Sequence, residues 1–300
     1  MKKIRFPMSL VILWLFCGYA QAQFLTPVQV NKLPVSPPDK VLAYGEDPLQ
    51  FGELRLPEGQ GPHPVAVVIH GGCWLSKFAS LKNTAPISSA ITKLGFAAWN
   101  IEYRSVDNPG GGWPGTFQDI ARGIDFLKKI ASEYNLDLSR VITVGHSAGG
   151  HLALWAAGRN RIPRNNDLYL QDPLKIQGVV ALSAAVDLKS LMKKQELVCG
   201  DQVIPKLLGG PPDKVPQRYN LCSPVENLPL GVPQILIAGE FDIPEIRETG
   251  LRYRDLARES GDRVKLFVIE KAGHHEAVAP GSVAWETVKD SIIQLMGIEK

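Results

Sequence analysis

The sequence predicts an α/β fold, a mostly parallel central sheet with helices on both faces, and three observations carry that prediction. Short continuous apolar runs, beginning with Val65-Ala66-Val67-Val68-Ile69, alternate with longer amphipathic segments, as strands buried on both faces do when helices connect them. A chain of 300 residues that is 45% hydrophobic and 21% charged can bury the large core such a sheet needs. The run Val141-Ile142-Thr143-Val144 leads through Gly145-His146-Ser147-Ala148-Gly149 into a helix-forming segment, which reads as strand, sharp turn and helix.

Taken in chain order, Lys2, Lys3 and Arg5 precede an apolar run over residues 8–16, and Ala20-Gln21-Ala22 supplies the small residues of a peptidase site. Residues 1–22 therefore read as a secretory signal cut after Ala22, and the mature protein as periplasmic or secreted. The apolar run is too short for a membrane anchor, which needs ~20 residues, and bulky Phe16 before Cys17 argues against lipidation. Residues 23–39 are rich in proline, lack a hydrophobic period and predict an extended arm without chemistry. The single folded domain then occupies residues 40–300. Strands are expected at 51–57, 65–69, 96–101, 140–145, 176–183, 234–239 and 264–269, with a helix over 85–94. Thr116 and Asp119 have the spacing of a capping box ahead of Phe117, Ile120, Ile124, Leu127 and Ile130 on one helical face. Trp285, Val288, Ile292 and Leu295 form the stripe of a final helix. Residues 187–233 break the alternation, hold two short helical segments and predict an insertion or cap over the sheet edge.

Charge excludes some functions. The leader carries three basic residues and no acidic one, so the remaining chain is balanced, with no basic cluster to attract nucleic acid or anionic membrane. Three cysteines remain after cleavage. Cys199 and Cys222 are close enough to close a short loop worth ~3 kcal/mol if bridged, or to remain two buried thiols; Cys73 is expected to stay reduced. His146 and His151 share no helical face, so no metal site is indicated, and no cofactor motif is present.

The chemistry centres on Ser147. A serine hydroxyl needs a base to take its proton and an acid to orient that base. Past the helical segment that follows Ser147, which holds His151, the chain has only two histidines, His274 and His275, and His274 directly follows the glycine that turns the chain off a strand. Asp242, just past the strand at 234–239, is the best placed acid; Glu240 and Asp187 are rivals, with a helix-capping role favoured for Asp187. His70-Gly71-Gly72-Cys73-Trp74 follows the strand 65–69 as a glycine-rich loop that supplies an N–H to a developing oxyanion, with Ala148 supplying another. Trp74 and Trp113 are candidate pocket walls.

These residues resemble the esterase and lipase branch of the α/β-hydrolases that carries a His-Gly-Gly-x-Trp loop, a group related to kynurenine formamidase and the catalytic domains of prolyl oligopeptidases. The resemblance runs from about Tyr44 onward and rests on His70 to Trp74, Tyr103-Arg104, Gly145 to Gly150, Gly239 to Asp242 and Gly273-His274. It implies an α/β-hydrolase fold, Ser147, Asp242 and His274 as a triad, and Gly72, Cys73 and Ala148 as backbone donors of an oxyanion hole. It departs from many lipases in having Cys73 where a third glycine stands. Too few residues precede Tyr44 for the propeller of a prolyl oligopeptidase. The expected activity is hydrolysis of a small carboxylic ester through an acyl-enzyme, without cofactor, metal, nucleic acid or membrane anchor. An amidase or arylformamidase with the same triad is the alternative, and a hydrolase-fold binding protein without catalysis a third reading.

Overall fold

A computed structural model describes residues 24–297, so the predicted signal over 1–22 lies outside the described residues. Eight strands form one sheet in the order β1-β2-β4-β3-β5-β6-β7-β8. They are β1 (Lys40–Ala43), β2 (Phe51–Arg55), β3 (His63–Ile69), β4 (Ala97–Ile101), β5 (Leu136–His146), β6 (Gly178–Leu182), β7 (Gln234–Gly239) and β8 (Val264–Ile269). The β1–β2 and β2–β4 pairs are antiparallel, and every pair from β4 through β3 to β8 is parallel. This is the predicted architecture, an α/β-hydrolase fold with one strand more than the sequence disclosed. β1 was missed because it is four residues long and mostly exposed at the sheet edge, where no apolar pattern is required.

The sheet separates two cores. Along β3, Val65, Val67 and Ile69 face the helices Gly115–Asp125 and Ala148–Gly158, whereas Ala66 and Val68 face Ala85–Thr92 and Trp285–Leu295. All seven β3 residues are buried, and each large aliphatic side chain so placed contributes about 1.5–3 kcal/mol through removal from water. A strand buried on both faces must be apolar throughout, so the run in the sequence was continuous rather than alternating.

Two local expectations are corrected. Thr116 and Asp119 do not form a capping box, because the helix starts at Gly115 behind Pro114 with no side-chain cap. Both are fully buried inside the helix. Asp119 instead receives the Arg104 guanidinium at 2.8 and 2.7 Å and the Gln50 amide at 2.6 Å; Thr116 donates to the Arg104 carbonyl at 2.5 Å. This network holds the chain leaving β4, and Asp119 raises the Arg104 pKa through its hydrogen bonds. The segment between β6 and β7 contains four short helices rather than two, Leu188–Leu191, Gln195–Cys199, Val203–Leu208 and Pro216–Cys222. Among the described residues no helix is long and apolar enough to cross a membrane.

Candidate active site

Four loops leave the carboxyl ends of β3, β5, β7 and β8, the edge at which parallel sheets gather their ligands. Ser147 sits between β5 and the helix Ala148–Gly158 with φ 55° and ψ −117°. A side-chain-bearing residue in that region costs about 1–3 kcal/mol, and only a surrounding structure that fixes the turn maintains it. The fixing contacts are the Ser147 N–H donating to the Leu182 carbonyl at 2.8 Å and the His151 N–H donating to the Ser147 carbonyl at 3.1 Å. The flanking glycines are steric requirements: a Cβ at Gly149 would lie 2.1 Å from the Ile69 carbonyl oxygen, and one at Gly145 would lie 2.2 Å from that of Gly149. The turn therefore projects Ser147 above the sheet while strand and helix touch beneath it.

The other two nominated residues meet there. Asp242 is 3% exposed just past β7, and its Oδ1 accepts the His274 Nδ1–H at 2.6 Å and the Ile243 N–H at 2.7 Å. Burial alone would raise the Asp242 pKa, but the His274 hydrogen bond and charge outweigh it and hold the carboxyl below its ordinary range. The bond fixes His274 with Nδ1 protonated, leaving Nε2 as the basic nitrogen. Ser147 and His274 both line one cavity of about 290 Å³, whose other walls include Cys73, Phe78, Val198 and Ile243. Larger depressions of about 440, 520 and 570 Å³ are lined by none of Ser147, His274 and Asp242.

The rivals are separated by their partners. His275 also lines the cavity, but it holds no bond to Asp242, and burial, with His274 next to it, pulls its pKa down to about 4. Glu240 is exposed and accepts the Lys271 N–H. Asp187 caps the helix Leu188–Leu191 by accepting the Ser190 N–H at 2.9 Å and pairs with Arg252.

The loop after β3 is built to hold backbone in an unusual conformation. Cys73 and Trp74 both have positive φ, 53° and 55°. Its anchor is His70, whose Nε2 lies 2.7 Å from the buried Glu102 carboxylate while its ring stacks on Tyr103 at 4.3 Å. The Tyr103 hydroxyl donates to the His70 carbonyl at 2.9 Å. Burial raises the Glu102 pKa, but His70 and the Leu81 and Tyr103 amides lower it further, so the carboxylate stays ionised as an anchor. Gly72 and Cys73 line the cavity beside Ser147. Ala148 is the first residue of its helix, so its N–H has no intrahelical acceptor.

Four expectations fail here. Cys73 is not reduced: it forms a disulfide with Cys199, 126 residues away, with the Cα atoms 5.8 Å apart. Cys222, expected as a partner for Cys199, is a free buried thiol. The pairing ties the loop after β3 to the helix Gln195–Cys199, whose Val198 faces the cavity. Trp74 is no pocket wall: it is 1% exposed, and its indole N–H donates to His151 Nδ1 at 3.2 Å within the core. Trp113 also stays off the cavity, packing on Phe117 and under the Arg218 guanidinium, 4.7 Å from its ring centroid.

One role went unread in the sequence, where His146 was weighed only as a metal ligand. The His146 Nε2–H donates to the His274 carbonyl at 2.9 Å, so the residue before Ser147 grips the turn bearing His274. Burial and the neighbouring His274 and His275 push its pKa well below the usual histidine value, so it is neutral near neutrality. Only its position next to Ser147 could have drawn attention to it. Among the described residues, no group of three or more His, Cys, Asp and Glu side chains could hold a metal ion.

Comparisons with known proteins bear on the family and the fold. Residues 53–243 match the family model BD-FAE. Among curated proteins, the chain is 26% identical over 178 residues to the probable carboxylic ester hydrolase LipM of Mycobacterium tuberculosis, covering 59% of this chain and 40% of that protein. It is 23% identical over 247 residues to the probable isoprenylcysteine alpha-carbonyl methylesterase ICMEL1 of Arabidopsis thaliana, covering 78% of this chain and 50% of the relative. The chain thus spans about half or less of the length of these relatives. Among solved structures, a truncated carbohydrate esterase from gut microbiota superposes with a TM-score of 0.73 at 21% identity, over 88% of this chain and 98% of that one. An esterase of Thermogutta terrifontis, Est2, superposes with a TM-score of 0.70 at 19% identity, over 88% and 96%. The chain belongs to the BD-FAE family, within the α/β-hydrolase fold.

Proposed function

We propose that the protein is a serine hydrolase that cleaves a small, uncharged carboxylic ester outside the cytoplasm. The observation that carries this reading is the union of Ser147 and His274 in one cavity, with His274 Nδ1 bonded to a buried, ionised Asp242. Ser147 Oγ attacks the ester carbonyl as His274 Nε2 takes the hydroxyl proton; Asp242 stabilises the imidazolium so formed. The negative charge on the carbonyl oxygen is met by the N–H groups of Ala148, Gly72 and Cys73. Collapse breaks the bond to the alcohol, which leaves with the proton from His274, and water then hydrolyses the acyl-serine by the same steps in reverse order. The family match and the relatives named as ester hydrolases support the choice of an ester.

The cavity supports the substrate class. At about 290 Å³ it is at the small end for a ligand pocket, and Phe78, Ala79, Val198 and Ile243 give it apolar walls with no charged side chain except where His274 cycles. Export is supported by the predicted leader and by the Cys73–Cys199 disulfide, a bond that persists in oxidising compartments.

The test is a panel of aryl esters of graded acyl length, acetylated sugars, feruloyl esters and formyl-anilides. Wild type should turn over one ester class with a burst of alcohol, and Ser147→Ala should abolish it. Faster turnover of formyl-anilides than of every ester would move the assignment to the amidases, and no turnover with either would favour a binding protein.

A further inference from the structure

The segment before β1, expected to carry no chemistry, touches the site at four points. Pro27 lines the same cavity as Ser147 and His274. The Leu25 N–H donates to Glu276 Oε1 at 2.6 Å, while the Gly273 N–H, beside the proposed base, donates to Glu276 Oε2 at 2.8 Å. One buried carboxylate, 6% exposed, therefore holds both the arm and the turn bearing His274. The Phe24 ring lies 5.2 Å from that of Phe241, next to Asp242. A Cβ on Gly273 would lie 3.0 Å from the Phe24 side chain, so the arm packs closely on the turn that carries His274.

The arm is also fixed at its far end. Thr26 and Gln29 form a reciprocal capping box around the single turn Pro27–Val30, and Val30 is fully buried in the core under β3 and β4. The Asn83 side chain, which lines the cavity, donates to the Asn31 side chain at 3.2 Å. A free strand would gain nothing from a capping box, and its order places Pro27 in one position against the pocket.

We propose that residues 24–30 form a wall of the substrate pocket and limit the size of the group seated beside Ser147, with Glu276 coupling the arm to the turn that carries His274. The proposal deepens the ester-hydrolase reading and rests on it for the identity of the substrate. Glu276 is a positioning residue in this account, because it reaches the site only through the amides of Leu25 and Gly273.

The test uses the full chain, with Pro27→Trp and Pro27→Ala read against two series of esters, one graded in the acyl group and one in the alcohol. In at least one series, Trp should lower the ratio of kcat/KM for the largest to the smallest substrate by about tenfold, and Ala should raise it. Ratios within about twofold of wild type in both series, from variants that fold, would overturn the proposal. A second readout needs no catalysis. In wild type the Leu25 and Gly273 amides should be protected from hydrogen exchange, and in Glu276→Gln both should lose protection together, by about tenfold. A Leu25 amide that already exchanges freely in wild type would overturn the coupling even if the ester reading stands. Paired loss of protection would uphold it even if no ester is turned over.

Discussion

Cys199→Ser removes the bridge between the loop after β3 and the helix Gln195–Cys199. The loop closed by the disulfide spans 126 residues, for which chain entropy alone gives about 5 kcal/mol at 25 °C. In a domain of this size that corresponds to a fall in Tm of about 10–20 °C. Function should fall as well, because Cys73 and Val198 both face the cavity and lose their tether. The assay is urea unfolding followed by circular dichroism, with and without a thiol reductant. Reduced wild type should unfold near the midpoint of Cys199→Ser, the variant should ignore the reductant, and Cys222→Ser should respond as wild type does. A Cys222→Ser protein indifferent to reductant would refute the pairing, and with it the link between the cap and the loop.

Further outcomes follow from the same geometry. Asp242→Asn should fold and bind substrate but lose about 10⁴-fold in kcat, because the amide no longer holds His274 in the tautomer that leaves Nε2 free; steady-state kinetics checks it. Gly149→Ala should destabilise the protein by about 3 kcal/mol or fail to fold, since its Cβ would lie 2.1 Å from the Ile69 carbonyl; a melt within a few degrees of wild type would contradict the packing of the turn. His151 is buried between Trp74 and the Cys222 carbonyl, and burial lowers its pKa from 6.5 to about 4. The unfolded chain therefore binds a proton that the folded one refuses, so stability is full above pH 6.5 and falls as pH drops toward 4. The loss amounts to roughly 3 kcal/mol. Denaturation midpoints between pH 7 and 4 should show a shallower decline in His151→Gln.

The parts legible in the sequence were those in which local pattern and tertiary role coincide. The run 65–69 was apolar because β3 is buried on both faces, and Gly145 to Gly149 was readable because a sharp strand-to-helix turn admits few residues. Asp242 and His274 were nominated from their places just past strand ends, where functional groups of parallel sheets collect, and the structure joins them by a hydrogen bond. What stayed hidden depends on contacts between distant segments. Cys73 and Cys199 are separated by 126 residues, and proximity in sequence favoured Cys222 instead. Thr116 and Asp119 had capping spacing, but Arg104 leaving β4 claimed both. Trp74 stood in the glycine-rich loop after β3 yet turns inward, because positive φ at Cys73 and Trp74 reverses the chain and His151 accepts its N–H. The arm's role could not be seen in its own residues, since Leu25 contributes a backbone N–H and Glu276 receives it from 251 positions away.

The most direct test is the intact mass of protein quenched in acid during turnover of a substrate from the ester panel. The account predicts a population heavier by the acyl group, mapped by peptide mass spectrometry to Ser147 and missing from Ser147→Ala. Acylation of another residue, or turnover by Ser147→Ala at the wild-type rate, would contradict it.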